Sequence, residues 1–282
     1  MNTIKKGYIP SKIDETHYIL GASKLPQHVL IPSGNWNDYS KEKESQVKNF
    51  DTFNCTGFNT LGAIETLEFL LTGIRPDYSD RWLGIVAGTK PPGNDPQTVC
   101  EAIRKYGLIP DSMLPWSDDI QNVEEYYSFK GADETKCREE GQKWLAKWEF
   151  LHEWVLSDKN NGWEERMELG LTYSILCGAV YAWVQDEKGF YIRAGADTHW
   201  TQITNAIPNI NWDCQDSYDP YQKKLEWNFG FEFVKRFHLA LKDPNVVKEI
   251  KISLITRILN LMYQLLEALK QKTYGRIFGS FA

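Results

Sequence analysis

Three residues in this chain have the side chains that a nucleophilic triad needs, and they fall in the order nucleophile, base, orienter. Cys55 stands in Asn54-Cys55-Thr56-Gly57-Phe58, at the start of an apolar run with helical spacing. A cysteine there faces unpaired backbone N–H groups and the positive end of the helix dipole, so its thiolate is expected to be stabilised and its pKa lowered. The thiolate is the attacking form. His199 follows Ala196-Asp197-Thr198 and opens the apolar segment Trp200 to Ile203. It can take the thiol proton and return it to a leaving group. Asp216, in Asp213-Cys214-Gln215-Asp216-Ser217-Tyr218, supplies a carboxylate that can hold an imidazole in one tautomer. Each has a bland alternative when taken singly: a packed thiol, a strand histidine, a turn carboxylate. It is the set of three, in order, that points to acyl-transfer chemistry.

The elements that must position these groups are legible from periodicity. Phe58, Leu61, Ile64, Leu67 and Leu71 predict one helix, ending near Gly73. Val99, Ala102, Ile103 and Tyr106 predict a shorter one, stopped by Gly107. Residues 108–110 and 114–116 read as extended chain, and 117–146 as a solvated polar insertion with some helix. The aromatic stretch Trp148 to Val155 reads as a strand. Further β-rich segments are expected at 179–184, 199–203 and 225–233. Helices therefore come first and strands later, which is an α+β order without internal repeats. Residues 1–45, with Pro10, Pro26 and Pro32, read as loop-rich.

Composition excludes several classes. The chain has 282 residues with 42% hydrophobic and 25% charged side chains, which fits a globular core and excludes fibrous repeats. Its net charge of -6 and lack of a Lys/Arg-rich run give no footprint for nucleic acid. No apolar run is long enough for a transmembrane segment or a signal peptide, so a cytoplasmic or virion-associated protein is expected. The five cysteines are odd in number, far apart and free of any C-x-x-C pair, which argues against a disulfide framework. His17, His28, His152 and His238 have no ligand-spaced partner, so no metal and no cofactor is expected.

The ordered residues resemble a papain-like cysteine peptidase. His199 lies 144 residues after Cys55, inside the window of about 130–150 residues typical of that family. Asp216 lies 161 residues after it. Leu25-Pro26 with Val29 resembles the start of the mature domain, and Asn94-Asp95-Pro96 through Leu114-Pro115-Trp116 resembles the stretch that follows the family's glycine-rich substrate strand. Gly178-Ala179-Val180 is similar to the segment that precedes its β subdomain. Asp216-Ser217-Tyr218 is similar to its Asn-Ser-Trp motif, with Asp in place of Asn. The resemblance spans roughly residues 25 to 235 and implies a two-subdomain fold with the cleft between a helical and an antiparallel β part. It implies a Cys55–His199–Asp216 triad, an oxyanion donor in Gln46 and substrate contacts at Gly93, Asn94 and Trp200. The usual Cys-Gly-Ser-Cys-Trp is replaced by Phe53-Asn54-Cys55-Thr56-Gly57, Gln46 lies nine residues ahead of Cys55, and the bulky Trp200 follows His199. Such departures resemble divergent phage- or microbe-encoded members. No long propeptide is expected ahead of Leu25.

The expected organisation is an arm at 1–24, a peptidase domain at 25–245 and an amphipathic helix at 246–282. In that helix Ile250, Leu254, Ile258, Leu261, Leu265 and Leu269 recur mostly at four-residue steps. Self-association or docking through residues 250–270 is the expected partner role, beside a polypeptide substrate, with packing across the chain's own surface or lying flat on a membrane as the alternatives for that helix. The expected activity is that of a thiol endopeptidase. Two other readings stay open: a catalytically inactive structural or binding protein, and an acyl transferase or amidase using the same three groups.

Overall fold

The computed structural model describes residues 7–14, 17–20, 26–40, 44–157, 162–181 and 184–243. Its central element is helix α1 (Cys55–Thr72), which is buried on every side rather than along one stripe. Leu61, Ile64 and Leu67 are buried as expected, but so are Thr56, Asn59, Thr60 and Thr66. Buried polar groups need partners, and Thr66 finds one by donating to the Gly62 carbonyl at 2.7 Å. Gly62 also allows a strand to come close, because a Cβ there would lie 2.4 Å from the Gln202 amide nitrogen. The helix stops at Gly73, left-handed with φ 75°, whose N–H closes on the Phe69 carbonyl.

Around it lie α2 (Asp80–Val86), α3 (Pro96–Tyr106), α4 (Val123–Tyr126) and α5 (Glu134–Lys147). Ser79 and Asp95 cap α2 and α3 by accepting the Trp82 and Thr98 N–H groups. Trp82, Ile109, Leu114 and Cys137 form one of the buried clusters among them. The polar stretch 117–146 is more structured than its composition implies, since it carries α4 and α5. Its first half is clamped by Arg81, which donates to the carbonyls of Pro115, Glu125, Tyr126, Ser128 and Lys130.

Two short strands, β1 (Gly7–Tyr8) and β2 (Gly93–Asn94), pair in parallel. The remaining strands make one large sheet: β3 (Trp148–Leu156), β4 (Leu176–Val180), β5 (Val184–Gln185), β6 (Tyr191–Ile192), β7 (His199–Ile207), β8 (Asn211–Gln215), β9 (Gln222–Glu226) and β10 (Val234–Leu241). Their order is β3-β10-β4-β7-β8-β9-β6-β5, antiparallel apart from β6 beside β9 in the pairings described. A further helix, α6 (Trp163–Tyr173), connects β3 to β4. The expected strand at 225–233 is corrected: β9 ends at Glu226, the chain turns through Gly230 at φ 71°, and β10 begins at Val234. The aromatics of that run, Phe229 and Phe231, are buried from the connection instead.

Helices α1 to α5 thus precede the large sheet, with α6 inserted after its first strand, and α1 packs against β7, which is the expected α+β arrangement of a helical and an antiparallel β part. The described residues up to Ala240 form one compact unit, with the N-terminal residues from Gly7 included in it. The expected C-terminal helix at 246–282 lies outside the described residues. No helix among the described residues is long and apolar enough to cross a membrane.

Candidate active site

Cys55 is the first residue of α1, and the chain enters it through a bend. Phe53 adopts a left-handed φ of 57°, a conformation that costs a side-chain-bearing residue about 1–2 kcal/mol. The Asp51 carboxylate accepts the Phe53 N–H at 2.8 Å and stabilises the bend. The Cys55 sulfur receives the backbone N–H groups of Thr56 and Trp200, which brings it to the start of β7. His199 is the first residue of β7, and its Nε2 lies 2.5 Å from Asp216 Oδ1 with both side chains fully buried. Asp216 follows β8 directly, and its N–H bonds the Tyr221 carbonyl at 2.7 Å to close the turn into β9.

Burial alone would push the Asp216 pKa up, but the His199 imidazole and the Lys223 ammonium outweigh it and hold the pKa below the usual value. The carboxylate is therefore ionised and can only accept. It follows that His199 carries a proton on Nε2, which directs the other ring nitrogen to any exchange with a thiol. Asn59 ties the two halves together: its amide reaches the Cys55 carbonyl (3.1 Å), the Trp200 carbonyl (2.6 Å) and Ser217 Oγ (3.2 Å).

A strand of the chain's own N-terminal segment lies across Cys55. A Cβ on Gly7 would sit 3.1 Å from Cys55 Sγ and 2.4 Å from the Phe53 carbonyl oxygen, so the backbone passes directly over the thiol. Tyr8 donates its N–H to the Thr198 carbonyl at 3.4 Å, and Ile9 donates to the Asn94 carbonyl at 3.0 Å. The Tyr8 ring stacks on Trp200 with centroids 5.8 Å apart and planes at 6°. Gly93 has no room for a side chain, since a Cβ there would meet the Gly7 carbonyl oxygen at 2.0 Å. Gly93, Asn94 and Trp200 thus all contact a polypeptide strand. The Asn94 side chain is engaged elsewhere, with Ala87 and Thr89, so that residue contributes its backbone.

Two expectations are corrected. The Cys55 thiol has no access to solvent, and burial pushes its pKa well above the ordinary value despite the helix N-terminus. Desolvation of a thiolate outweighs the dipole and the two N–H donors. Gln46 is also buried, and its amide is already committed: Nε2 donates to Asp51 Oδ1 (3.1 Å) and Tyr218 OH (2.7 Å), while Oε1 accepts from Ser217 (2.7 Å). No amide hydrogen is left for an oxyanion. Gln46 instead braces the turn that carries Asp216.

Residues that the sequence did not single out include Lys223, Asn59, Asp51 and Tyr8. Lys223 sits in the polar run Gln222-Lys223-Lys224, whose residue types give no sign that one lysine is buried. All five cysteines are buried free thiols. Among the described residues no cluster of His, Cys, Asp and Glu could hold a metal ion.

No known protein-family profile matches the chain, and no curated protein does. Solved structures do. The chain superimposes on a digestive procathepsin L 3 of Tenebrio molitor larval midgut with a TM-score of 0.56 and 14% identity, covering 82% of this chain and 75% of that one. It also superimposes on the Amb a 11 cysteine protease, a ragweed pollen allergen in its proform, with a TM-score of 0.53 and 14% identity, covering 83% and 72%. The fold is papain-like. The expected two-subdomain architecture is therefore present, and the papain-like fold is reached with little shared sequence.

Proposed function

We propose that this chain is a cysteine peptidase in which Cys55 attacks a peptide carbonyl, His199 moves the proton and Asp216 orients His199. The observation that carries this reading is the extended polypeptide strand lying across Cys55. It is hydrogen-bonded on one side to Asn94 and on the other to Thr198, the residue before the base. A cleft that holds backbone in this way suits a peptide substrate. His199 would take the thiol proton as Cys55 attacks, and return it to the leaving amine; water would then release the acyl-enzyme. The developing oxyanion would meet the Cys55 backbone N–H at the start of α1, one of the amides a helix leaves unpaired.

The same strand supports a closed resting state, in which residues from Gly7 onward must leave before substrate enters. The proforms among the matched structures are consistent with such a state. Incubating a denatured protein substrate with the full chain and with Cys55→Ala tests the reading. Cleavage by the parent alone is expected, and equal cleavage by both would remove Cys55 from the reaction. The buried, un-ionised thiol favours a second reading, a non-catalytic binding protein. On that reading neither chain cleaves anything, even after the N-terminal segment is displaced.

A further inference from the structure

Among the described residues, Lys223 is a buried cation bonded directly to the candidate triad. It lies at the second position of β9, where exposure alternates and the odd residue out is this inward-facing lysine. The register pairs Lys223 with Cys214 on β8, which sets it beside Asp216 just beyond the end of that strand. Its Nζ donates to Asp216 Oδ2 at 2.6 Å, to the Pro220 carbonyl at 3.0 Å and to the Tyr218 carbonyl at 3.1 Å. Three acceptors match the three hydrogens of an ammonium, and Lys223 and Asp216 are 1% and 0% exposed. The other carboxylate oxygen takes His199 Nε2 and the Tyr218 N–H.

A buried carboxylate without compensation would bind the imidazolium tightly and keep His199 protonated. An imidazolium held that way gives its proton to a leaving amine less readily. We propose that Lys223 is a positioning residue that neutralises Asp216, so that the pair orients His199 as an uncharged amide would. The proposal rests on the peptidase reading for its consequence, but not for its physics. Other ionisable groups that feel Asp216 include Cys55 on α1, Cys214 on β8, Tyr191 on β6 and Tyr218 in the turn. Burial raises the pKa of all four, and none of them can carry a positive charge, whereas the Lys223 ammonium touches the carboxylate directly.

The test compares the full-length parent with Lys223→Met, Lys223→Arg and the double variant Asp216→Asn/Lys223→Met. The readout is the titration of His199 by NMR of its ring, with the pH profile of peptide cleavage measured beside it. Lys223→Met should move the His199 titration upward by about one to three pH units, the range for a close uncompensated charge. Lys223→Arg and the double variant should both return it to within about half a unit of the parent. A titration unmoved in Lys223→Met overturns the proposal, as does a double variant displaced as far as Lys223→Met. Where Lys223→Met does not fold, a folded double variant with the parent titration supports the proposal, and a displaced or unfolded one overturns it. The NMR titration reads the coupling even in a chain that cleaves nothing, so failure of the peptidase reading and failure of this proposal are distinguishable.

Discussion

Replacing Tyr8 by alanine should open the cleft. The Tyr8 ring is 7% exposed and stacked on Trp200. Burying such a side chain contributes about 1.5–3 kcal/mol, and an aromatic pair adds about 0.5–1.5 kcal/mol. Against this, the Tyr8 hydroxyl is buried with no hydrogen-bond partner among the described residues, which returns about 1–2 kcal/mol. The net loss on truncation is about 1–3 kcal/mol of docking energy for the segment. At about 1.4 kcal/mol per tenfold, the open fraction should rise about 5- to 150-fold. The assay is the rate of Cys55 alkylation by iodoacetamide, located by mass spectrometry, with Cys100, Cys137, Cys177 and Cys214 as buried internal controls. Tyr8→Phe is the counter-test: it keeps the stack, removes the unbonded hydroxyl, and should leave Cys55 as slow as the parent or slower. If Tyr8→Ala stays folded and Cys55 alkylates no faster, the segment does not gate the thiol.

Gly7→Ala should raise Cys55 alkylation in the same direction, because the added Cβ collides with the Phe53 carbonyl and φ is 100° at that position; an unchanged rate with an unchanged melt would contradict the close crossing. Gln46→Ala should lower the melting temperature through the loss of three buried hydrogen bonds, at a cost of about 1–3 kcal/mol. A stable variant whose kcat alone falls by about 100-fold would instead restore Gln46 as an oxyanion donor. A third expectation concerns acid. Burial first, and then the neighbouring Lys235, depress the His152 pKa to about 4. The folded imidazole therefore stays neutral while the unfolded one protonates, so stability is full above about 6.5 and falls as the pH drops toward 4. The total is on the order of 3 kcal/mol, and His152→Gln should flatten that slope in urea melts measured across the range.

What the sequence disclosed depended on whether a feature leaves a pattern along the chain. Helix α1 and helix α3 leave a three-to-four-residue apolar repeat, and β3 leaves a run of aromatics, so all three could be read directly. The order of Cys55, His199 and Asp216 was legible because the papain-like topology spaces the ends of α1, β7 and β8 widely and in that sequence. Side-chain partners leave no such trace. The spacing of Gln46 said nothing of its bonds to Asp51, Tyr218 and Ser217, and the adjacent Lys223 and Lys224 give no sign along the chain of which one is buried. The two residues of β1 are too few to show any period, so the strand over Cys55 could not be foreseen. With it went the sign of the Cys55 pKa shift, because a helix N-terminus favours a thiolate only where water or a cation remains to help solvate it.

The central claim is that Cys55 is a nucleophile served by His199 and gated by the N-terminal strand. It is tested most directly by treating the parent, Tyr8→Ala and Tyr8→Ala/His199→Ala chains with a peptidyl epoxide and mapping the adduct by mass spectrometry. The account predicts a single adduct on Cys55, formed faster in Tyr8→Ala than in the parent and lost when His199 is removed. An adduct that forms at the same rate without His199, or a Tyr8→Ala chain that takes none at Cys55, would contradict it.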